Sequence, residues 1–484
     1  MQACDLSAVE ARRLIGNKGM SPVELLDSCL ARIEAVNPPV TGVVAIAYEA
    51  ARARAKEAEA QVMAGDDLPP LHGLPVGIKD LVDTAGLTTT YGSEMFRHNV
   101  PEKDEALVAN LRTKGANIFA KTNTPEHGAG GNTFNPVYGV SGNPFFPSRT
   151  CGGSSGGSAV ALATGMMPLA HGSDNAGSLR IPASFCGVVG MRPTAGIVAS
   201  DKRMIGSTHF PVQGPMARTA EDTLFMLKAM ATSDPMDPLA SFMDYSHDRP
   251  VDLSSLRVAV SEDLGFAPLE DSLRAVFRER LGLFGSAFRE VADASPEMEN
   301  VDHLYEVLRA VSYIGMYNKR EQEHPGKWGR LVAQNLEHSS QFSITDVGQA
   351  MADQTDLYRR AQLFFREFDL LITPTVGVSP WPKHEVYPSV VNGRPMANYF
   401  EYVGLTYAIT LLNHPAISIP CGVDREGMPF GIQIVGRRNE DLRVMHAAIT
   451  LEQLLARNPM TARPLPDLVA LEKVKVRDEM EPVV

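Results

Sequence analysis

The chain is poor in the features that mark several common classes of protein. It has five cysteines in 484 residues, none in a CxxC or CxxH spacing, so a reducing, cytoplasmic setting is expected rather than a disulfide framework. No run of 18 apolar residues is present, and the first twenty residues lack the apolar core of a signal peptide, so we expect no membrane association. Acidic residues outnumber basic ones by 57 to 45, giving a formal net charge of -12, which argues against a nucleic-acid partner.

What the chain does have is an ordinary globular composition, with 44% hydrophobic and 21% charged residues. Strand-like and helical segments alternate over 116–191, which predicts an α/β sheet with helices on its faces. No repeat or linker divides the sequence, so we expect a single domain over 1–484. The expected parts are a core over about 60–220 and 365–455, N-terminal helices over 5–64, a variable helical region over about 300–366 and a loose, charged C-terminal tail over 465–484.

The predicted elements follow the hydrophobic periodicity. Helices are expected over 5–36 with a break at 18–19, and over 47–64, 104–115, 158–166, 178–185, 219–232, 269–290 and 440–457. Strands are expected over 71–80, 116–121, 168–172, 187–191, 256–260, 368–374, 416–420 and 431–436. The Asn-, Gly- and Pro-rich segment 122–150 indicates a long functional loop.

One lysine lies within an apolar, strand-like segment. Lys79 is flanked by Val76, Ile78 and Leu81, so we expect it to be buried, and burial lowers the pKa of a lysine. A neutral amine near pH 7 can act as a general base. The alternative at this point is a lysine at a strand end that reaches water or pairs with Asp80 or Asp83.

The segment 152–158 reads GGSSGGS and precedes a predicted helix. Its glycines allow unusual backbone conformations, and the start of the helix presents free N–H groups. The esterase pattern G-x-S-x-G matches twice, at Ser154 and Ser155, but it requires a preceding strand, which 141–151 does not provide. A phosphate-binding loop would need a lysine after Gly157. The remaining alternative is a flexible Gly/Ser linker.

A second serine-bearing turn, 172–180 (GSDNAGSLR), follows an apolar strand and opens a helix. Ser178 would project from the start of that helix beside the amides of Asn175, Ala176 and Gly177, an arrangement that suits a nucleophile next to an oxyanion hole. A plain helix-capping serine explains the local pattern equally well.

A nucleophilic hydroxyl needs a base, which is usually a histidine. The nearest histidines, His127 and His171, lie in contexts that favour a structural interpretation. Lys79 together with Ser154 offers a route that needs no histidine.

Taken together, these segments resemble the amidase signature family, and the resemblance runs from about residue 5 to 455. It rests on 77–80 (GIKD), 121–126 (KTNTPE), 152–158, 172–182, 187–194 (GVVGMRPT), 369–374 (DLLITP), 414–422 (HPAISIPCG) and 429–436 (PFGIQIVG). The resemblance implies an α/β fold with a mixed, twisted central β-sheet covered on both faces by α-helices, with helical embellishments.

The resemblance also implies a Ser–cis-Ser–Lys catalytic unit. By motif, Ser178 would be the nucleophile, Ser154 the bridging serine after a cis peptide bond from Gly153, and Lys79 the general base. The implied reaction passes through an acyl-enzyme and needs no metal or organic cofactor. The other implied site residues are the main-chain amides of Asn175, Ala176, Gly177 and Ser178 as oxyanion hole, with Ser155, Asp174 and Arg180 bracing the loops.

One departure from the family bears on the substrate. Many members read DTGGS where this chain reads DNAGS at 174–178. A similar Ala-Gly-Ser variant occurs in members resembling 6-aminohexanoate cyclic dimer hydrolases. We therefore expect a stand-alone amidase acting on a small apolar, aryl or secondary amide, with a homodimer as the candidate assembly.

Two other activities of the same family stay open. One is hydrolysis of esters or carbamates, including urethane bonds, by the same acyl-enzyme. The other is that of the glutaminase subunit in a tRNA-dependent amidotransferase, which usually carries an SRYDG segment, whereas 310–316 reads AVSYIGM here.

The substrate pocket is expected beneath the loop 125–146 and the region 300–400. Its candidate wall residues, each of which could equally belong to the core, are Phe134, Phe145, Phe146, Met316, Trp328 and Tyr399.

Overall fold

The computed structural model describes residues 2–474. Within that range it has fourteen α-helices: α1 Ala8–Gly16, α2 Pro22–Val36, α3 Tyr48–Ala64, α4 Ala106–Thr113, α5 Gly156–Ala163, α6 Arg180–Cys186, α7 Ala220–Met230, α8 Asp271–Phe284, α9 Val301–Glu323, α10 Arg330–Ser339, α11 Ile344–Glu367, α12 Gly404–Leu412, α13 Asp441–Leu455 and α14 Leu468–Glu472.

The same range has fifteen β-strands, most of them short. They are β1 Val43–Ile46, β2 Pro75–Lys79, β3 Asn117–Thr122, β4 Phe134–Asn135, β5 Gly139–Val140, β6 Leu169–Asp174, β7 Val189–Arg192, β8 Val212–Ala217, β9 Arg257–Val260, β10 Glu290–Asp293, β11 Leu370–Pro374, β12 Val390–Val391, β13 Arg394–Pro395, β14 Ala416–Val423 and β15 Pro429–Val435.

Eleven of these strands form one mixed sheet in the order β1-β3-β2-β6-β8-β7-β14-β15-β11-β9-β10. Pairing is parallel where β2 meets β3 and β6, and where β9 meets β10 and β11, and antiparallel elsewhere in the sheet. The pairs β4/β5 and β12/β13 are separate hairpins. The mixed central sheet implied by the resemblance is thus confirmed.

Helices cover both faces of the sheet. Successive side chains of a strand point to opposite faces, and here both sets are apolar, so both faces need to be covered. In β3, Ile118 packs in one apolar cluster and Phe119 in another; in β6, Leu169 and Ala170 divide in the same way. Helices α1, α4, α7 and α13 pack in the first cluster. On the opposite face, α5 covers one half of the sheet, and α9, α11 and α12 cover the other half.

Local sequence signals explain where several helices begin. The Ser21 side chain accepts the Val23 N–H at 3.0 Å, and Glu24 accepts the Ser21 N–H at 2.9 Å. This reciprocal capping, with Pro22 as the first helical residue, starts α2 where the sequence predicts it.

The sequence prediction fails at several elements. It missed β1, β8 and α12 altogether, and the helix expected over 269–290 ends at Phe284, so that Glu290–Asp293 forms β10 instead. Strand β8 (VQGPMA) contains Gly and Pro, which normally indicate a turn, and α12 is buried on every side, so it lacks the polar face that marks a helix in a sequence.

The expected loose tail over 465–484 is also corrected in its first part. Helix α14 lies there and buries Leu471 against α2. Residues 475–484 lie outside the described residues. No helix within 2–474 has the length and apolar character needed to cross a membrane.

Candidate active site

The predicted catalytic residues meet at one edge of the sheet. Strands β2 and β6 are parallel neighbours, so their carboxyl ends lie side by side. Lys79 is the last residue of β2, and Ser173 and Asp174 end β6. The loops that lead into α5 and α6 carry Ser154 and Ser178 to the same edge. Ligand sites of α/β sheets commonly lie at the carboxyl ends of strands.

The Lys79 side chain is fully buried and ends among three hydroxyl groups. Its Nζ lies 2.7 Å from Ser154 Oγ, 3.0 Å from Ser155 Oγ and 2.9 Å from Ser173 Oγ. Both local alternatives fail, since the side chain does not reach water and forms no ion pair with Asp80 or Asp83. The Asp80 carboxylate accepts hydrogen bonds from Thr90, and that of Asp83 accepts them from Tyr91 and Lys202.

This environment makes the Lys79 amine a weak base. Burial disfavours the ammonium form and lowers the pKa of Lys79 from 10.5 to about 7, against the smaller opposing effect of the Asp174 charge. About half of the amine is therefore neutral at pH 7. A group with a pKa near the working pH is well suited to moving protons.

The segment 152–158 is a buried turn that runs into the first residues of α5, rather than a flexible linker. The Gly153–Ser154 peptide bond is cis, as the family resemblance implies. Ser155 ties this turn to β6, because its Oγ donates to Ser173 O at 3.1 Å and accepts the Ser173 N–H at 3.2 Å. Its amide donates to Ser178 O at 3.2 Å, which links the two serine turns.

Ser178 is half-buried and lines a cavity. It is not the helix cap, since α6 begins at Arg180 with Leu179 before it. Its hydroxyl makes no hydrogen bond to any residue within 2–474, so the expected link from Ser154 to Ser178 is not formed in this structure. Catalytic hydrogen bonds often tighten only when substrate binds.

One of the four main-chain amides predicted for the oxyanion hole already has an acceptor within the protein. The Gly177 N–H donates to Asp174 Oδ1 at 2.8 Å and is directed at that carboxylate. The amides of Asn175, Ala176 and Ser178 have no hydrogen-bond acceptor among the described residues, which leaves them available to a substrate oxygen. Gly177 adopts a φ of +123°, and a Cβ there would lie 2.3 Å from Thr406 Oγ1, so the turn requires glycine.

Asp174 braces this turn, as expected, and does so with two buried arginines. Its carboxylate accepts hydrogen bonds from Arg180 Nε and Nη2, both at 3.0 Å, and from Arg192 Nη1 at 3.2 Å. Burial opposes ionisation, but the two guanidinium charges outweigh it and hold the pKa of Asp174 well below its ordinary value. The sequence analysis missed Arg192, which lies on β7.

Two cavities meet at the serines. The wider one, of about 340 Å³, is lined by Ser154 and Ser173. Its other lining residues include the aromatic and apolar side chains Tyr91, Tyr317 and Met316 and the charged side chains Glu105, Lys202 and Arg320. The narrower one, of about 50 Å³, is lined by Ser178, Ala176, Tyr305, Arg309 and Tyr399. Gly128, Asn175 and Tyr313 line both cavities.

Only two of the six candidate wall residues line these cavities, Met316 in the wider one and Tyr399 in the narrower one. Trp328 packs its ring against His127, 5.1 Å between centroids. The residues of the set that lie in neither cavity are Phe134, Phe145, Phe146 and Trp328.

The two histidines differ in their relation to the site. His127 lines the wider cavity, and its Nε2 has no hydrogen-bond partner within 2–474. The structural role predicted from the sequence does not account for this position. Burial lowers the pKa of His127 to about 3, so it is neutral at pH 7. His171 Nε2 lies 2.8 Å from Gln213 Oε1, and His171 itself lines neither cavity.

Ser173 and Arg309 are site residues that the sequence analysis did not single out. Ser173 ends β6 directly before Asp174, and its contact with Lys79 follows only from the pairing of β2 with β6. Arg309 interrupts an apolar stretch of α9, a signal that could have indicated a buried charge. No three His, Cys, Asp or Glu side chains in the described part of the chain are grouped as metal ligands.

Known proteins match this chain over most of its length. The family model described as Amidase matches residues 24–445. The chain is 33% identical over 452 residues to an acylamidase of Rhodococcus erythropolis, covering 92% of this chain and 95% of that protein. It is 31% identical over 481 residues to a glutamyl-tRNA(Gln) amidotransferase subunit from Geobacillus kaustophilus, covering 94% and 98%.

Solved structures show the same fold. A bacterial aryl acylamidase of the amidase signature family superimposes with a TM-score of 0.87 at 24% identity, covering 97% of this chain and 99% of that one. A 6-aminohexanoate cyclic dimer hydrolase in complex with substrate gives a TM-score of 0.82 at 25% identity, covering 96% and 99%.

Proposed function

The chain belongs to the amidase family and is an amide hydrolase, and we propose that it cleaves the C–N bond of a small amide through an acyl-enzyme on Ser178. The proposal rests on one observation above all, the 2.7 Å contact between the buried Lys79 Nζ and Ser154 Oγ. A buried amine with a pKa of about 7 can accept a proton from a serine near neutral pH.

In the proposed first half-reaction, neutral Lys79 takes the proton of Ser154, which takes that of Ser178. Ser178 Oγ then bonds to the amide carbon, and the amides of Asn175, Ala176 and Ser178 hold the oxygen as it becomes negative. Collapse of the tetrahedral intermediate breaks the C–N bond, and the proton returns through Ser154 to the leaving nitrogen. Water then cleaves the ester by the same relay.

This path assigns the two halves of the substrate to the two cavities. The leaving nitrogen receives its proton from Ser154, so the amine part lies in the wider cavity that Ser154 lines. The acyl part remains bonded to Ser178 and lies in the narrower cavity. The rings of Tyr91 and Tyr317 and the side chain of Met316 favour an aryl or apolar amine.

Labelling with a fluorophosphonate tests the assignment of the nucleophile. We expect one covalent adduct on the peptide that contains Ser178, and its loss in Ser178→Ala. Ser207→Ala, at an exposed serine, serves as the matched control and should keep the adduct. An adduct on Ser155, or on a cysteine, would refute the assignment. A second experiment compares kcat/KM for an aryl amide, ester and carbamate with the same acyl group, which shows the type of bond that the protein prefers to cleave.

The amidotransferase subunit is the second candidate, because relatives of that description match nearly the whole chain. We disfavour it, since 310–316 lies in α9 and reads AVSYIGM rather than SRYDG. Glutamine hydrolysis by the purified chain in a stable complex with other subunits would favour it; aryl-amide hydrolysis by the isolated chain favours the stand-alone amidase.

We also propose a cytoplasmic location, which is consistent with five buried free cysteines and no disulfide. A homodimer stays a prediction.

A further inference from the structure

The narrower cavity contains a buried positive charge that the protein leaves without a counter-charge. Arg309 is 2% exposed and lines the cavity together with Ser178. Its guanidinium forms no ion pair with any carboxylate within residues 2–474, and its Nη1 is buried without a hydrogen-bond partner. An arginine stays charged in proteins, and a buried charge is costly unless it is paired.

The guanidinium is held in place although it is unpaired. Its central carbon lies 4.6 Å from the ring centroid of Tyr313 and 4.8 Å from that of Phe400, and 5.3 Å from that of Tyr399. Nη2 donates to Asn335 Oδ1 and Tyr399 Oη. Rings and neutral oxygens hold the Nη2 edge of the group, while Nη1 keeps its N–H donors unused.

The carboxylate beside Ser178 is not free to pair with Arg309. Asp174, the carboxylate beside Ser178, is already shared by Arg180 and Arg192. The site around the nucleophile therefore carries more positive than negative charge, which favours an anionic ligand.

We propose that Arg309 binds a carboxylate at the far end of the acyl group, so that the preferred substrates are amides of short dicarboxylic acids. The proposal rests on the proposed function, since the acyl group must remain on Ser178 in the narrower cavity. That cavity is small, about 50 Å³, so the acyl chain between Ser178 and Arg309 must be short. Malonyl and succinyl are the shortest acyl groups that end in a carboxylate one or two carbons away, and a carboxylate matches the planar donors of a guanidinium.

The test compares two substrates of equal length, succinyl 4-nitroanilide and butyryl 4-nitroanilide, which differ in the terminal carboxylate. We expect the wild-type protein to prefer the succinyl compound in kcat/KM by roughly 10- to 100-fold, the range for a hydrogen bond to a charged partner. Arg309→Gln should bring this ratio close to one, and Arg309→Lys should restore part of it.

Arg330→Gln is the matched control for a general attraction of anions. Arg330 is exposed on α10 and does not line the cavity of Ser178, so the preference should persist in that variant. A wild-type ratio near one, or a ratio that Arg309→Gln leaves unchanged, would overturn the proposal while leaving the amidase function intact.

A binding experiment separates failure of this proposal from failure of the proposed function. In Ser178→Ala, which cannot form the acyl-enzyme, calorimetry should detect binding of succinyl 4-nitroanilide, and the added change Arg309→Gln should weaken it at least tenfold. Equal affinities of the single and double variants would refute the role of Arg309. If the wild-type protein cleaves neither anilide, the proposed aryl-amide function is wrong, and the affinities still decide about Arg309.

Discussion

Replacing Lys79 by methionine should abolish amide hydrolysis and also raise the free energy of unfolding near neutral pH. The side chain is fully buried, and burial lowers its pKa from 10.5 to about 7. At about 1.4 kcal/mol per pKa unit, keeping the ammonium form in the folded protein costs on the order of 4–5 kcal/mol. Methionine has a similar length and no charge to bury, so it removes this cost.

The gain has a defined dependence on pH. Between pH 7 and 10.5 the unfolded chain holds a proton that folded Lys79 has released, so the stability of the wild type rises with pH in this window. Below pH 7 both states hold the proton and the full cost is present. The advantage of Lys79→Met should therefore be largest at pH 6–7 and decline towards pH 10. Loss of the three serine contacts reduces it to about 1–3 kcal/mol.

Urea unfolding of both proteins from pH 5 to 10 measures this difference. Lys121→Met is the control, because Lys121 is also buried but lies 4.0 Å from Asp80 and contacts none of the site serines. That change leaves Asp80 without its cation and should destabilise the protein.

The pH profile of activity tests the same pKa. Because the neutral amine is the base and its pKa is about 7, the wild-type kcat/KM at pH 6 should fall to about one tenth of its plateau at high pH. Retained turnover in Lys79→Met, or a variant less stable than wild type at pH 6, would refute the reasoning.

The other predictions concern the turn around Ser178 and the nature of the nucleophile. Gly177→Ala should abolish turnover and lower the free energy of unfolding by about 2–3 kcal/mol, because its Cβ would lie 2.3 Å from Thr406 Oγ1 at a φ of +123°. The control is Gly282→Ala in α8, which has open space around it and should raise the free energy of unfolding by about 0.5–1 kcal/mol in the same urea titration. Asp174→Asn should cost about 3–5 kcal/mol, since it leaves two buried guanidinium groups without a counter-charge; a loss below about 1 kcal/mol would contradict that account. An alkylating thiol reagent should leave the folded protein unmodified and active, because all five cysteines are buried; inactivation that follows alkylation would implicate a cysteine instead.

The sequence predicts the residues of the site better than their surroundings. The local pattern around Lys79, Ser154 and Ser178 leaves a structural alternative open at each residue, and it is the set of motifs shared with the amidase family that singles the three residues out. The structure brings Lys79 and Ser154 into contact, and it places Ser178 on the adjoining cavity.

What the sequence does not reveal depends on pairing between distant segments. Ser173 becomes a partner of Lys79 only because β6 pairs with β2, and Arg192 reaches Asp174 only because β7 lies close by in the same sheet. Hydrophobic periodicity reports which face of an element is buried, but not which element covers it. The narrower cavity is a further example, since Tyr399 and Arg309 are ninety residues apart in sequence.

The low pKa of Lys79 depends on how the site arranges its charges. Burial would lower the pKa of any lysine there, yet Asp174 lies close enough for its charge to oppose the shift. A carboxylate free to face Lys79 would hold the amine protonated and useless as a base. Here Asp174 is turned towards Arg180 and Arg192, which bind it at 3.0 and 3.2 Å. The two arginines that brace the turn thus also keep Lys79 from acquiring a counter-ion. Together they carry one more positive charge than Asp174 neutralises, and because this charge lies beside Ser178, it favours an anionic group on the substrate as well.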